Sequence, residues 1–170
     1  ALANELDAKI EIANGSAIST NKDILPYIMK MEKGSILFID EIHRMNRKVQ
    51  EYLLTVIEDF RLDIVIPAGK NSQGETISID VPRFTLVGAT TEMGDLVQPF
   101  LDRFKLKHFM RPYNTEELAE LITGNAKKLK VNIEEDGVKV IAKASRGTPR
   151  IANNFLEWVR DFQIAYDISG

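Results

Sequence analysis

The run Ser35-Ile36-Leu37-Phe38-Ile39-Asp40-Glu41-Ile42-His43-Arg44 decides how the rest of the chain is read. Four apolar residues, Ile36 to Ile39, follow one another without a break, as in a strand buried on both faces of a parallel sheet. Asp40 and Glu41 then close it. Unpaired charges are costly inside such a sheet. The two carboxylates are therefore expected at the carboxyl end of the strand, in the crevice where open α/β sheets bind ligands. One carboxylate there can hold a hydrated magnesium ion, and the next can orient a water for attack on a phosphate. The plain alternative is a buried strand that ends in an acidic helix cap, and a motif this short leaves it open.

Composition sets the bounds. At 170 residues the chain makes one domain, or one with a small appendage, and its 44% apolar content allows a sizeable core. Net charge is -3, with both signs interspersed. No basic patch stands out, so any contact with DNA is local or made by residues outside this chain. The absence of cysteine excludes disulfides and thiolate metal sites and fits a reducing cytoplasm. No apolar run approaches the ~18 residues of a membrane span, and no signal peptide is visible. No membrane association and a cytoplasmic location are expected.

Ahead of the central run, Ala1 to Leu6 reads as a helix already under way, and Ala8 to Ala13 alternates as a short strand. Asn14-Gly15-Ser16 breaks it. From Asn21, a possible cap, Ile24, Leu25, Ile28 and Met31 line a helix that tolerates Pro26. After the central run, Val49, Tyr52, Leu53, Val56, Ile57 and Phe60 recur at helical spacing, for which core packing is a sufficient reading. Arg61 to Pro67 and Thr76 to Val81 alternate about a tip rich in Gly, Asn and Ser, which reads as a β-hairpin. It is either a plain surface insertion or an arm for a partner, and exposed apolar residues on it favour a protein partner.

Phe84-Thr85-Leu86-Val87-Gly88-Ala89-Thr90-Thr91 reads as a second buried-type strand ending in hydroxyls, which in a parallel sheet emerge beside Asp40 and Glu41. Each hydroxyl can serve a phosphate or merely satisfy a turn. Lys107 to Met110 is a short candidate strand. After Pro112 only helices are expected. Asn114 and Glu117 form a capping box. Asp136-Gly137 precedes a second helix over Val138 to Ala144, and Thr148-Pro149 opens a third. Arg150 lies in the first turn of that third helix, against the helix dipole. It serves an external anion or is simply solvated.

These pieces, in this order, resemble the AAA+ ATPases and, within them, the RuvB family of Holliday-junction branch-migration motors. The stretches that carry the resemblance are Leu37 to Arg44 (the Walker B pattern), Glu58 to Ile66, Phe84 to Thr91, Asp102-Arg103-Phe104 and Arg146-Gly147-Thr148-Pro149-Arg150-Ile151-Ala152-Asn153. The resemblance implies an α/β fold: a P-loop-type three-layer parallel sheet core over residues 1–111, its central strand missing, with a hairpin arm at about 62–81. A small all-α lid over 112–170 follows. It implies ATP or ADP and Mg2+ as cofactors. Asp40 would hold the metal through water and Glu41 would activate the hydrolytic water. Thr91, or else Thr90, would sense the γ-phosphate. Arg103 would be an arginine finger acting in the neighbouring subunit, and Arg150 would reach the phosphate from the lid. Tyr113 and Pro149 would lie against the adenine. The implied partners are five further copies in a hexameric ring, a RuvA-like protein at the hairpin Asp63 to Val81, and duplex DNA or a Holliday junction, held mainly by a C-terminal domain expected after Gly170.

Leu101, Glu92, Lys105 and the polar hairpin tip depart from the family pattern. No Gly-x-x-x-x-Gly-Lys-[Ser/Thr] loop occurs in the sequence. That loop cradles nucleotide phosphates. A fragment of a longer bacterial protein, driving branch migration in recombination and repair, is therefore expected. By itself it is expected to bind nucleotide poorly and to be inactive. The alternative is a degenerate binding or regulatory module that does not hydrolyse ATP. Asp40, Glu41, Thr91 and Arg150 standing together argue against degeneracy.

Overall fold

A computed structural model describes residues 7–66 and 75–166. The chain forms two compact units, Ala1–Lys107 and His108–Gly170. Each is described by itself.

The first unit is built on a three-stranded parallel sheet in the order β1 (Ile10–Asn14), β2 (Ile36–Asp40), β5 (Thr85–Gly88). The register pairs Asn14 with Asp40 and Ile39 with Gly88. Ile36, Leu37 and Ile39 are fully buried, as a four-residue apolar run in a central strand requires. β5 departs from expectation. Its pattern matches β2, yet Leu86 and Val87 are only half-buried and Thr85 and Gly88 are exposed. Among the described residues it is an edge strand, and an apolar run does not distinguish an edge from a centre.

Helix α1 (Asn21–Ile28) buries Ile24 and Ile28. Its cap is Thr20 rather than Asn21. The Asp23 carboxylate accepts from the backbone N–H of Thr20 at 2.8 Å and of Ser19 at 3.1 Å, which lowers its pKa. Pro26 sits inside this helix, which ends two residues later. Helix α2 (Arg47–Asp59) buries Val49, Leu53 and Val56. Asn46 caps it, accepting from Lys48 N–H at 2.9 Å. Phe60, left-handed at φ 50°, ends it and packs edge-on against Phe84.

Strands β3 (Arg61–Ile66) and β4 (Glu75–Asp80) form the expected antiparallel hairpin, and its tip lies outside the described residues. Leu62 opposite Ile79 and Ile64 opposite Ile77 make its apolar face. Leu62 is buried at the base, whereas Ile79 and Ile77 are 39% and 41% exposed. Short helix α3 (Gln98–Asp102) anchors itself with fully buried Phe100.

The second unit is a three-helix cluster, α4 (Thr115–Leu129), α5 (Glu135–Ala144) and α6 (Pro149–Ala165), around Leu118, Ile122, Ile141, Ala152 and Leu156. The expected capping box forms: Asn114 Oδ1 accepts from Glu117 N–H at 2.8 Å, and Glu117 accepts from Asn114 N–H at 2.9 Å. α5 begins at Glu135, earlier than the expected Val138, because Glu135 and Asp136 suit a helix N-terminus better than the Gly137 signal suggested. The helix expected over Ala1 to Leu6 lies outside the described residues.

The strand expected at Lys107 to Met110 does not form. Leu106, Phe109 and Met110 are almost fully exposed. A lone extended segment leaves its backbone groups to water and gains nothing from a strand conformation.

Candidate functional site

The carboxyl end of β2 carries the densest chemistry. Asp40 is exposed, and its Oδ1 accepts from Glu41 N–H at 3.0 Å. Glu41 turns left-handed, at φ 49° and ψ 44°. A non-glycine residue in this region costs about 1–3 kcal/mol unless its surroundings enforce it. Here they do so from both flanks. Ile42 N–H donates to Ala89 O at 2.9 Å, and Ala89 N–H donates to Ile39 O at 3.0 Å, so β5 grips the turn on one side. On the other side Gly15 lies so close that a Cβ added there would stand 2.2 Å from Glu41 O. Only glycine admits that approach. Asn14 holds the Gly15 turn, its Oδ1 accepting from Ser16 N–H at 2.9 Å and from Ser16 Oγ at 2.6 Å.

Behind Glu41 lies a residue that periodicity does not single out. His43 is buried on the 3-10 turn Ile42–Arg44. Its Nδ1 is 2.9 Å from Thr90 Oγ1, and its Nε2 is 3.4 Å from Glu41 Oε2. Thr90 Oγ1 also accepts from Glu92 N–H at 3.0 Å. Of the two threonines proposed as phosphate sensors, Thr90 is thus bonded inward. Thr91 is exposed, and its hydroxyl has no protein partner among the described residues.

Two more residues went unread in the sequence. Buried Gln50 donates from Nε2 to Met45 O at 3.0 Å and accepts from Val97 N–H at 2.9 Å. It ties the exit of the Glu41–His43 turn to the start of α3, and a polar residue in the apolar arc of α2 was its one signal. Glu58, near the end of α2, receives Arg103 Nη2. Arg103 is the residue just past α3, with its side chain about half exposed, and no contact joins it to Asp40 or Glu41 among the described residues.

In the helical unit, Tyr113 N–H donates to Gly147 O at 3.0 Å, which fixes Tyr113 to the turn preceding α6. Arg146 and Gly147 are both left-handed, at φ 47° and 79°. Pro149 opens α6, and Arg150 follows in its first turn, exposed and without an ion pair among the described residues. Thr148 makes no side-chain cap bond. Tyr113, Pro149 and Arg150 are therefore gathered at one corner of this unit. Arg111 braces that corner. Its guanidinium donates to both carboxylate oxygens of Glu117, at 2.9 and 2.5 Å. That pair, with the Asn114 N–H bond, pulls the Glu117 pKa from 4.5 down to about 2.

The carboxyl end of β2 fits a magnesium ion. Asp40 offers an exposed hard oxygen ligand, and the described residues hold no cluster of three His, Cys, Asp or Glu that would make an all-protein cage. Magnesium keeps several waters and needs only one or two carboxylates besides its phosphate ligands. Asp40 with Glu41 beside it can thus present a metal-binding and a proton-accepting carboxylate side by side.

Residues 1–110 match the family described as Holliday junction DNA helicase RuvB P-loop domain, and residues 113–168 match the RuvB AAA lid domain. The Holliday junction branch migration complex subunit RuvB of Rhodopirellula baltica is 44% identical over 161 residues, covering 95% of this chain and 43% of that protein. Its counterpart in Nitratiruptor sp. is 45% identical over 166 residues, covering 98% of this chain and 49% of that one. The solved Thermotoga maritima RuvB Holliday junction branch migration motor superimposes with a TM-score of 0.82 at 37% identity, over 98% of this chain and 50% of that chain. The chain spans about half the length of the curated relatives it matches.

Proposed function

The chain belongs to the RuvB family, and from that premise we propose that it is the core and lid of an ATP-driven motor subunit that moves Holliday junctions. The observation that carries the reading is the turn at the end of β2, which sets Asp40 and Glu41 side by side and is bonded to Ala89 through Ile42 N–H. Magnesium, when bound with ATP, would neutralise charge on the phosphates. Asp40 would hold it, directly or through water. Glu41 orients and deprotonates the attacking water. Thr91, rather than the bonded Thr90, contacts the γ-phosphate.

Arg103 acts in trans. Among the described residues no contact joins it to its own Asp40 or Glu41, and its guanidinium pairs with Glu58 alone. Arg150 serves the phosphates from the lid, and no carboxylate pairs with it among the described residues. Tyr113 and Pro149 flank the base. The sequence carries no Gly-x-x-x-x-Gly-Lys-[Ser/Thr] loop, so the activity is proposed for the whole protein to which these residues belong. An arginine supplied in trans implies a ring, a hexamer in this family. Exposed Ile77 and Ile79 on the hairpin suit an apolar protein partner, a RuvA-like subunit. DNA contact falls mainly to residues beyond this chain, since its net charge is -3. No described helix is long and apolar enough to cross a membrane, and a cytoplasmic location is part of the proposal.

The test is subunit mixing in the intact protein. Glu41→Gln alone and Arg103→Ala alone should each abolish ATP turnover, the latter by roughly 10³-fold or more. Mixing the two variants should restore part of it, because some sites then combine an intact Glu41 with a neighbour's intact Arg103. Turnover by Glu41→Gln, or no recovery on mixing, overturns the assignment.

A further inference from the structure

We infer that His43 is a positioning residue for the water-activating carboxylate, coupling Glu41 just past β2 to Thr90 beyond β5. The inference rests on the reading of Glu41 given above. Its basis is a chain of contacts whose hydrogen-bond polarity can be worked out from one end to the other.

The Glu92 N–H can only donate, and it donates to Thr90 Oγ1 at 3.0 Å. At the other end the ionised Glu41 carboxylate can only accept. His43 lies between, with Nε2 3.4 Å from Glu41 Oε2 and Nδ1 2.9 Å from Thr90 Oγ1. A neutral imidazole carries one N–H. Placing it on Nε2 turns a donor toward the carboxylate and leaves Nδ1 as an acceptor. The single Thr90 O–H then donates to Nδ1, while the oxygen accepts from Glu92. In this arrangement each contact sets a donor against an acceptor. The opposite tautomer sets a bare nitrogen against a carboxylate. The contacts around the ring therefore favour the tautomer with its proton on Nε2, as with histidines whose far nitrogen is bonded.

Burial makes the arrangement rigid. The His43 side chain is 5% exposed, whereas that of Glu41 is 37% exposed. The carboxylate thus reaches solvent, where a reacting water would sit, and its only cationic or N–H side-chain neighbour among the described residues is the buried ring behind it. The 3.4 Å separation is longer than a formed hydrogen bond of 2.7–3.2 Å. Catalytic contacts of this kind often tighten only when substrate is bound. Because Thr91 follows Thr90 directly, the same ring also fixes the backbone from which the proposed sensor hydroxyl emerges.

The experiment uses the intact protein with MgATP. His43→Leu should lower kcat roughly 10–100-fold, the cost of a misplaced catalytic group, with KM for ATP nearly unchanged. His43→Gln restores a donor toward Glu41 and should recover part of that loss. A merely structural histidine predicts no such rescue and no split between kcat and KM. Long-range 15N–1H spectra of ring-labelled histidine should show the His43 signal with the proton on Nε2. Thr90→Val removes the O–H donor from the other end, and it should lower kcat in the same direction even if His43→Leu does not fold. Unchanged kcat in a folded His43→Leu, failure of His43→Gln to recover anything, or a proton on Nδ1 overturns the inference. Glu41→Gln separates the two claims. If it still turns over ATP, the reading of Glu41 fails; if it is dead while His43→Leu is fully active, only the role of His43 fails.

Discussion

The end of β2 and the corner of the helical unit hold the two sets of proposed site residues, and they are built in opposite ways. Asp40, Glu41 and His43 stand on a sheet. Buried apolar residues lie beneath them, and Ala89 just past β5 and Gly15 just past β1 hold the turn on its two flanks. Tyr113, Pro149 and Arg150 stand on helix ends, secured by one backbone bond to Gly147, a capping box and an exposed ion pair. A sheet-built site is stiff because displacing it breaks core packing. A cap-built corner is held by contacts that water and salt can replace. This contrast suits the proposed roles. Placing a water needs fixed geometry, whereas a lid has to move over its ligand.

The largest effects should come from beneath the first site. Leu37→Ala empties a fully buried position in the central strand and should cost about 2–5 kcal/mol. Val87→Ala, on the half-buried edge strand β5, should cost well under half of that. Urea unfolding followed by amide exchange in the first unit measures both. Equal costs would mean that β5 is as enclosed as β2.

Next comes the glycine that supports the turn. Gly15→Ala sets a Cβ against the Glu41 carbonyl, a backbone atom that cannot swing aside, and should cost about 1–3 kcal/mol. Gly88→Ala meets the Ile42 side chain, at 2.8 Å from Cδ1 and 3.2 Å from Cγ2, and no backbone atom. Its cost should be smaller. Thermal unfolding midpoints decide the order, and a reversed order would remove Gly15 as the support of the Glu41 turn.

These two regions also differ in how far the sequence reveals them. The start of α4 was legible because a capping box acts over three residues, Asn114 with Glu117, and that of α6 because Pro149 opens a helix without needing a cap bond from Thr148. The starts of α1 and α5, by contrast, lay one and three residues from where their signals placed them. The central strand was legible because four apolar residues and two carboxylates need no distant partner to be interpreted. β5 was misjudged as fully buried for the converse reason. Its pattern repeats that of β2, and only sheet order shows which strand has two neighbours. His43 with Thr90, and Arg103 with Glu58, lie 47 and 45 residues apart. Strand register and helix length set both pairings, and no local pattern encodes either. Lys107 to Met110 carries strand-like residues but finds no strand to pair with.

Gly147→Ala probes the corner of the helical unit. At φ 79° an alanine is strained, and its Cβ would lie 2.8 Å from Pro112 Cβ and 3.1 Å from Tyr113 O. The expected cost is about 1–2 kcal/mol, below that of Leu37→Ala. Trp158, the only tryptophan, lies on α6 and reports unfolding of this unit by fluorescence. A Gly147→Ala variant as stable as the parent would mean that Tyr113 is not held by this turn, and its proposed place beside Pro149 would lose its structural support.

The smallest expected effect is a pH dependence of the same corner. The Glu117 pKa falls from 4.5 to about 2, through hydrogen bonds from Arg111 and from Asn114 N–H. A carboxyl group whose pKa is lowered by folding stabilises the folded state above its unfolded value, and that contribution fades as pH falls through the folded value. The helical unit should therefore lose a modest increment of stability between about pH 4.5 and 2. Glu117→Gln should flatten the Trp158-monitored unfolding curve in that window while changing little at neutral pH beyond a uniform offset. Because the pair is exposed, added salt should shrink the increment. The unfolding of β2, monitored by amide exchange, should not respond to Glu117→Gln. A response there would mean that the capped corner and the sheet-built site do not unfold independently, and the contrast between stiff and replaceable supports would have to be given up.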